Sequence, residues 1–277
     1  NFIRYWNSNF REDKIINLDK LTYAGNKLNL LDIQNDKKYE FIKGDICNSY
    51  LVDEILKNNN PIFIVNFAAE SHVDRSIAYP EEFINTNILG TFKLLNSINK
   101  YFSYLSKEEQ DKFRFLHVSS DEVYGSLKKD DPPFKETNKY FPNSPYSASK
   151  ASSDHIVRSF HKTYNLPTLI SNCSNNYGPY QGIEKLIPLT IHNALNQRAI
   201  PIYGDGEQIR DWIYVDDHVR ALYLVATEGC PGETYCIGGD CEKQNLEVVK
   251  DICDILNECM PSLKKSQLLE NLKLNDN

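Results

Sequence analysis

The stretch FRFLHVSSDEVYG, residues 113–125, joins an apolar strand pattern to two hydroxyls and two carboxylates. The segment SPYSASK follows at residues 144–150 and is predicted to begin a helix, with Ser144 as N-cap and Pro145 in the first position. Tyr146 and Lys150, four residues apart, then share one face of that helix. A strand that ends in polar residues before such a helix is typical of a parallel sheet with a ligand at the carboxyl ends of its strands.

The chain on either side of this stretch alternates between strand-like and helix-like segments. Strands are predicted at residues 14–18, 39–42, 62–67, 113–119 and 168–173, and helices at 49–58, 81–101 and 145–164. This alternation predicts an α/β fold with a Rossmann-like, doubly wound parallel sheet. In the last helix, the stripe expected to be buried consists of Ala148, Ala151, Ile156 and Phe160.

The pattern changes after about residue 175. Prolines 179, 188 and 201, with glycines 178, 182, 204 and 206, predict short irregular pieces. A further helix is predicted at 216–227 and a strand at 233–237. We therefore expect a Rossmann-like domain over 1–174 and a smaller, mainly substrate-binding domain over 175–277, with about 211–237 returning to the first domain.

Composition excludes several classes of partner. The 31 Lys and Arg residues against 38 Asp and Glu give a net charge of −7, which argues against a nucleic-acid partner because phosphate neutralisation needs a basic surface. The longest apolar runs, such as Ile62–Val65, are too short to span a bilayer, so no membrane partner is expected. Seven cysteines without a Cys-x-x-Cys motif indicate reduced thiols in a cytoplasmic protein and no metal site.

The segment IINLD, residues 15–19, is typical of the second strand of a dinucleotide-binding fold. An acidic residue at that strand's end binds the adenosine ribose and disfavours a 2′-phosphate, so Asp19 favours NAD as cofactor. The glycine-rich loop of such folds lies about 20 residues before the acid. We therefore expect the first strand and that loop to precede Asn1, and residues 1–6 to form the helix that follows them. Alternatively, Asp19 only forms a turn.

Two further segments fit a dinucleotide site. Asp45, in the Gly-Asp-Ile run after the next strand, could bind the adenine amine. Ala68 and Ala69 follow the buried strand at 62–67, where small residues allow the backbone to approach a diphosphate or a ribose. Tight packing of helix on sheet would explain the two alanines equally well.

The candidate catalytic residues are those of the opening stretch. A free phenol has a pKa of about 10, and Lys150 is expected to lower that of Tyr146 and to grip the nicotinamide ribose. Asp121 and Glu122 would supply an acid and a base for a second proton transfer, and the alternative is that they are surface or capping acids. The hydroxyls of Ser119 and Ser120 could bind a sugar hydroxyl.

Together these residues carry a resemblance that covers nearly the whole chain. The chain resembles the extended short-chain dehydrogenases/reductases, and among them the dTDP-glucose 4,6-dehydratase family. The matching runs are LDKLTYAG (18–25), AAESHVDRS (68–76), SDEVYG (120–125), SPYSASK (144–150), NCSNNYGP (172–179), EKLIP (184–188) and QIRDW (208–212). Ser120 departs from the usual threonine of the family but keeps its hydroxyl. Related epimerases lack the Asp-Glu pair.

The resemblance implies a mechanism on NAD. Tyr146 takes the proton of the sugar 4-hydroxyl while hydride leaves C4, and Ser120 holds that oxygen. Glu122 then removes the C5 proton, Asp121 protonates the leaving 6-hydroxyl, and hydride returns to C6. The implied product is the nucleotide-linked 4-keto-6-deoxyglucose.

The resemblance also implies the binding residues and a homodimer. The residues expected to bind the cofactor are Asp19, Lys20, Thr22, Asp45, Ile46, Phe67, Ala68, Ala69, Ser71, Thr86, Tyr146 and Lys150. Those expected to bind the nucleotide-sugar substrate are Ser71, Ser120, Asn175, Lys185, Leu186, Tyr203, Arg210 and Asn245. The alternatives are a UDP-glucose 4,6-dehydratase, a nucleotide-sugar epimerase of the same superfamily, or a non-catalytic relative.

Overall fold

The structure, a computed structural model, describes residues 1–10, 12–128, 131–260 and 272–275. The chain forms two compact units. The larger unit contains Phe2–Cys173 and Val219–Ile237, and the smaller unit contains Asn1, Ser174–His218 and Gly238–Asn277. Strands and helices are numbered below in chain order across both units.

The larger unit is built on parallel strands. Its strands are β1 (Ile15–Asp19), β2 (Tyr39–Lys43), β3 (Phe63–Asn66), β4 (Arg114–Ser120), β5 (Thr168–Cys173) and β9 (Thr234–Ile237). They form one sheet in the order β3-β4-β5-β9 and a separate pair, β1-β2, with every pairing parallel. The α/β fold with a parallel sheet is therefore confirmed, and each predicted strand lies within one or two residues of its observed position.

The helices of the larger unit connect these strands. They are α1 (Phe2–Asn9), α2 (Ser49–Asn59), α3 (Val73–Ala78), α4 (Pro80–Phe83), α5 (Thr91–Phe102), α6 (Lys107–Lys112), α7 (Pro145–Tyr164) and, from Val219 onward, α9 (Val215–Glu228). Apolar side chains of α5, α7 and the strands form the main core, which includes Leu95, Ile98, Phe113, Phe115, Val157 and Leu166. Burial of such side chains stabilises each by about 1.5–3 kcal/mol relative to exposure.

The single helix predicted over 81–101 is wrong. The structure has α4, then a π-helical segment at Ile84–Gly90, then α5. The wider turn of a π-helix displaces side chains from the spacing of an α-helix. Within this segment the buried Asn87 bonds to the backbone of Glu70 and to Ser149, and those contacts are not visible in local periodicity.

The N-terminus of α7 agrees with its prediction, but its buried face does not. Ser144 caps the helix and accepts a hydrogen bond from Ser147 N at 3.0 Å. Ala148 is exposed and Ile156 is only half-buried, so the expected stripe is wrong at these positions. The buried residues of α7 are instead mostly polar, namely Ser147, Ser149, Lys150, Ala151, Ser153, Asp154, Val157 and Phe160.

The smaller unit is more regular than its prolines and glycines suggested. Its elements are β6 (Asn175–Tyr177), β7 (Ile200–Tyr203), β8 (Ile209–Tyr214), β10 (Glu242–Gln244), β11 (Leu272–Asn275), α8 (Leu186–Leu195) and α10 (Asn245–Cys259). The order β10-β8-β6 forms one sheet, and β7 pairs with β11. Pro188 lies in the first turn of α8, where no backbone donor is lost, and Pro201 lies in β7. A small core of Ala194, Ile200, Ile202, Val249 and Cys253 joins α8, β7 and α10.

Candidate active site

The candidate catalytic residues meet where β4 ends in the larger unit. Ser120 closes β4 and caps a 3-10 turn formed by Asp121–Tyr124. The Ser120 hydroxyl accepts a hydrogen bond from Glu122 N at 3.2 Å and donates to Asp121 Oδ1 at 3.3 Å. It also lies close enough to the phenol of Tyr146 on α7 to lower the pKa of that phenol. The turn therefore brings the Ser120 hydroxyl, both carboxylate-bearing residues and the phenol into one cluster.

The protein's own groups raise the pKa of the Tyr146 phenol. Burial is the main cause, followed by the carboxylate of Glu122, and the bond to Ser120 opposes them. The sequence-based expectation that Lys150 lowers this pKa is therefore wrong for the chain by itself. Burial disfavours an anion more than a cation one helical turn away can compensate.

Lys150 lies almost entirely out of solvent, at 3% exposure. Its Nζ donates to the backbone carbonyl of Val118 on β4 at 2.9 Å. Burial lowers the pKa of its ammonium, and the charges of Asp154 and Cys173 oppose that shift. A buried ammonium held by β4 and placed one turn after Tyr146 suits the ribose-gripping role expected of it.

A buried polar cluster lies behind these residues and was missed in the sequence. Asp154, with 0% exposure, accepts hydrogen bonds at Oδ2 from Asn172 Nδ2 and from the Tyr140 hydroxyl, both at 3.0 Å. Asn172 also donates to the backbone carbonyl of Ser120 at 3.2 Å and accepts from the Tyr124 hydroxyl at 3.1 Å. The sequence signal was the position of Asp154 four residues after Lys150 on a buried helix face.

Asn87 links the segment after β3 to α7 and was also missed. Its Oδ1 accepts from Glu70 N at 2.9 Å, and its Nδ2 donates to Glu70 O at 3.0 Å and Ser149 Oγ at 2.8 Å. Burial raises the pKa of the Glu70 carboxyl, one of whose oxygens is buried without a partner. Ala68 N donates to Asn66 Oδ1 at 3.2 Å, which shapes the start of the same segment.

The residues expected to bind adenosine lie at the carboxyl ends of β1 and β2. Asp19 is exposed and accepts from Leu21 N through Oδ1 at 2.7 Å, so it also forms a turn, as the alternative reading held. Lys20 Nζ pairs with Asp45 Oδ2 at 2.8 Å. Thr22 is exposed and Ile46 is buried. The structure thus brings Lys20 and Asp45 into direct contact and leaves Asp19 open to solvent.

The other expected cofactor residues of the larger unit follow β3 or lie on the π-helical segment. Phe67 is half exposed and packs against Phe2, with 5.3 Å between ring centroids. Ala69 is half-buried, Ser71 is exposed, and Thr86 lies half-buried on the π-helical segment.

The smaller unit carries the remaining expected substrate residues. Asn175 begins β6, Tyr203 ends β7, Lys185 precedes α8, and Leu186 begins α8 and packs against its core. Arg210 is exposed on β8 opposite Lys243 of β10, and Asn245 N donates to Gln208 O at 3.0 Å. The carboxylate of the neighbouring Asp211 accepts from Gly239 N and Cys241 N.

Among the described residues no group of three or more His, Cys, Asp or Glu side chains could hold a metal ion. Over the same residues no helix is both long and apolar enough to cross a bilayer.

Comparison with known proteins agrees with this geometry. The family model for GDP-mannose 4,6 dehydratase matches residues 2–272. A dTDP-glucose 4,6-dehydratase from Shigella flexneri is 54% identical over 264 residues, which are 92% of this chain and 73% of that protein. The enzyme of the same name from Neisseria gonorrhoeae is 55% identical over 90% of this chain and 72% of its own.

Solved structures give the same result. A dTDP-glucose 4,6-dehydratase from Bacillus anthracis in complex with NAD has a TM-score of 0.85 and 42% identity, covering 99% of this chain and 79% of its own. That from Streptomyces venezuelae, also with NAD bound, has a TM-score of 0.88 and 40% identity, covering 99% and 80%. A UDP-glucose 4-epimerase from Thermotoga maritima has a TM-score of 0.80 but only 27% identity, covering 92% and 77%.

Proposed function

Because this chain belongs to the GDP-mannose 4,6 dehydratase family, we propose that it acts as a dTDP-glucose 4,6-dehydratase. It converts dTDP-glucose to dTDP-4-keto-6-deoxyglucose by oxidation at C4, loss of water across C5 and C6, and return of hydride to C6. The observation that carries the proposal is the cluster of Ser120 and Tyr146 with the turn that holds Asp121 and Glu122.

The residues present fit NAD as the cofactor. Asp19 places an exposed carboxylate at the end of β1, where it would bind the ribose and repel a 2′-phosphate. Ala68, Ala69 and Ser71 would line the dinucleotide, and Lys150 would grip the second ribose. When bound, NAD supplies the acceptor and donor of the hydride.

The first proton transfer falls to Tyr146. Its phenolate removes the proton of the 4-hydroxyl, and the Ser120 hydroxyl holds that oxygen by a hydrogen bond. Because burial and Glu122 raise its pKa in the chain alone, Tyr146 is a strong proton acceptor once ionised. Added positive charge in the occupied site would favour the ionised form.

The second, third and fourth proton transfers fall to the carboxylates. The C5 proton is hardly acidic until C4 is a ketone, and Glu122 then removes it. Asp121 protonates the 6-hydroxyl so that it departs as water. After hydride returns to C6, Glu122 protonates C5, with a proton that has exchanged with solvent. Tyr146 ends with one proton more and Asp121 with one fewer, so exchange of one proton through solvent restores both groups, and the net change is the loss of one water molecule.

We assign the rest of the substrate to the smaller unit. The guanidinium of Arg210 would bind the diphosphate, because its planar fork matches phosphate oxygens. Asn175, Lys185, Leu186, Tyr203 and Asn245 would bind the sugar and nucleoside.

The alternatives are less well supported. The epimerase structure is 27% identical, whereas the dehydratases above are 40–55% identical, and the Asp-Glu pair has no purpose in epimerisation at C4. A non-catalytic relative would have no need of Tyr146, Lys150, Asp121 and Glu122 together. The names of the similar dehydratases favour thymidine over uridine.

We also propose a homodimer. Phe92 on α5 and Tyr164 on α7 are about half exposed and are joined by Phe160, whose ring lies 6.3 Å from Phe92 and 5.1 Å from Tyr164. Such an apolar face on two adjacent helices suits pairing with a second copy. Light scattering should give twice the mass of one chain, and Phe92→Glu should reduce it to one. A monomeric wild type would refute this part.

We propose a cytoplasmic location because the cysteines are free thiols. All seven are free thiols, which is the usual condition in a reducing compartment.

The experiment for the proposed function is a product assay. The full-length protein is incubated with dTDP-glucose or UDP-glucose, and products are identified by NMR. A 4-keto-6-deoxy product from dTDP-glucose supports the proposal. An epimerised hexose, or equal turnover of UDP-glucose, contradicts it.

A further inference from the structure

Asp154 has a fully buried carboxyl on α7, the helix that also carries Tyr146 and Lys150. It lies on α7 one helical turn after Lys150, and both side chains are almost fully buried, at 0% and 3% exposure. Burying an isolated carboxylate or ammonium costs several kcal/mol, so such groups are retained where each compensates the other.

The cation that compensates Asp154 is Lys150. Burial raises the pKa of Asp154, and the charge of Lys150 is the first influence that lowers it. The ring of His117 lies 3.5 Å from Asp154 Oδ1, but burial and the charge of Lys150 push its pKa well below the usual range. His117 is therefore neutral near pH 7 and is no counter-ion for Asp154.

The hydrogen bonds of Asp154 favour its ionised form. Its Oδ2 accepts from both Asn172 and Tyr140, each at 3.0 Å, and a carboxylate that accepts donated protons is stabilised as an anion. The second amide hydrogen of Asn172 goes to the backbone carbonyl of Ser120. The carboxyl of Asp154 therefore acts on the charge of Lys150. Through Asn172 it is also linked to the end of β4.

We propose that Asp154 is a positioning residue whose buried carboxylate keeps Lys150 protonated at the pH of catalysis. It touches no reacting atom and acts through Lys150. This proposal depends on the proposed dehydration only for the identity of the reaction. The position of Asp154 one helical turn after Lys150 is a property of the chain itself.

Other titratable groups also face this pair. They are His117 on β4, Cys173 on β5, Tyr124 in the 3-10 turn, Tyr140 in the segment before α7, and Tyr146 on α7 itself. Burial raises the pKa values of Tyr124, Tyr140 and Tyr146, so all three are neutral near pH 7. Within this set Asp154 is therefore the main negative charge that raises the pKa of Lys150, ahead of Cys173.

The test is Asp154→Asn, which removes the charge but keeps an oxygen able to accept from Asn172 and Tyr140. NMR of protein labelled at lysine Cε, with Lys150→Arg for assignment, follows the ammonium without any substrate. The pKa of Lys150 should fall by about one to three units. The pH at which the rate falls on the alkaline side should decrease by the same amount as the pKa of Lys150. Activity should be retained at lower pH.

A matched control is Asp111→Asn. Lys107 and Asp111 have the same spacing of four residues and form an exposed ion pair at 2.9 Å on α6. The control should leave the rate profile nearly unchanged, since exposed pairs contribute about 0–1 kcal/mol.

Two results would overturn the proposal. One is an unchanged Lys150 pKa in folded Asp154→Asn. If that variant does not fold, the carboxyl ¹³C shift of Asp154 in the wild type decides, and a protonated carboxyl at pH 7 is the overturning result. Neither measurement depends on turnover, so a wild type that leaves dTDP-glucose unchanged would refute the proposed function alone.

Discussion

Burial raises the pKa of the Tyr146 phenol, and the carboxylate of Glu122 raises it further. The carboxylate of Glu122 therefore opposes ionisation of the Tyr146 phenol. Once Tyr146 has taken the proton of the 4-hydroxyl it is neutral, and Glu122 can act as a carboxylate without that repulsion. The arrangement favours oxidation before elimination.

This coupling predicts a pH effect. In Glu122→Gln the lost negative charge favours the phenolate, so the pKa of Tyr146 falls and the acid limb of C4 oxidation moves to lower pH. Single-turnover rates against pH measure the shift. Asp121→Asn is the comparison, because Asp121 raises the same pKa less strongly. A larger shift in Asp121→Asn would contradict the assignment.

Tyr146→Phe should nearly abolish C4 oxidation without unfolding the protein. The phenol oxygen carries a proton transfer that typically contributes about 10²–10⁴-fold, while the ring still packs. Single-turnover oxidation and thermal unfolding measure the two effects. Tyr164→Phe, at the exposed end of the same helix, is the control and should change neither. Retention of most activity in Tyr146→Phe would show that another group is the base.

Asp19 should set the choice of dinucleotide. Because its exposed carboxylate would repel a 2′-phosphate, stripped wild-type enzyme should regain activity with NAD far better than with NADP. Asp19→Asn should narrow that ratio, and Asp74→Asn, an exposed acid on α3, should leave it unchanged. Equal activity of the wild type with both cofactors would remove Asp19 from the ribose site.

His218 should make the protein lose stability in acid. Burial lowers its pKa from 6.5 to about 4, so between these values the unfolded chain binds a proton that the folded chain does not. Stability therefore falls as pH drops through this window, by up to about 3 kcal/mol for this residue. His218→Gln should flatten urea-unfolding free energies between pH 6.5 and 4, whereas the exposed His155→Gln should not. If the unfolding free energies of wild type and His218→Gln changed in parallel with pH, the prediction for His218 would be contradicted.

Periodicity predicted the strands of the larger unit because each is a short apolar run bounded by polar residues. The start of α7 was predictable because Ser144 and Pro145 act locally. The π-helical segment was not, since Asn87 bonds to Glu70 and Ser149, which are distant in sequence. In the smaller unit, strands of three residues such as β6 and β10 are too short for a periodic pattern.

In the candidate site, too, some residues could be predicted from local sequence and others could not. Ser120, Asp121, Glu122 and Tyr146 could be proposed from the sequence because the end of β4 and the start of α7 each carry a local signal. Asp154 and Asn172 were missed because their role depends on α7 lying against β5, a contact that only the fold creates. The pKa of Tyr146 was misjudged because Lys150 was considered and burial was not.

The order of the two chemical steps is the central claim, and solvent deuterium at C5 tests it most directly. With dTDP-glucose in D₂O, wild-type protein should give a 4-keto-6-deoxy product deuterated at C5. In Glu122→Gln, a 4-keto-glucose should accumulate under single turnover with no deuterium at C5. If Glu122→Gln instead fails to oxidise C4 at all while Tyr146 remains in place, the Asp-Glu pair only orients the site and the dehydration mechanism is contradicted.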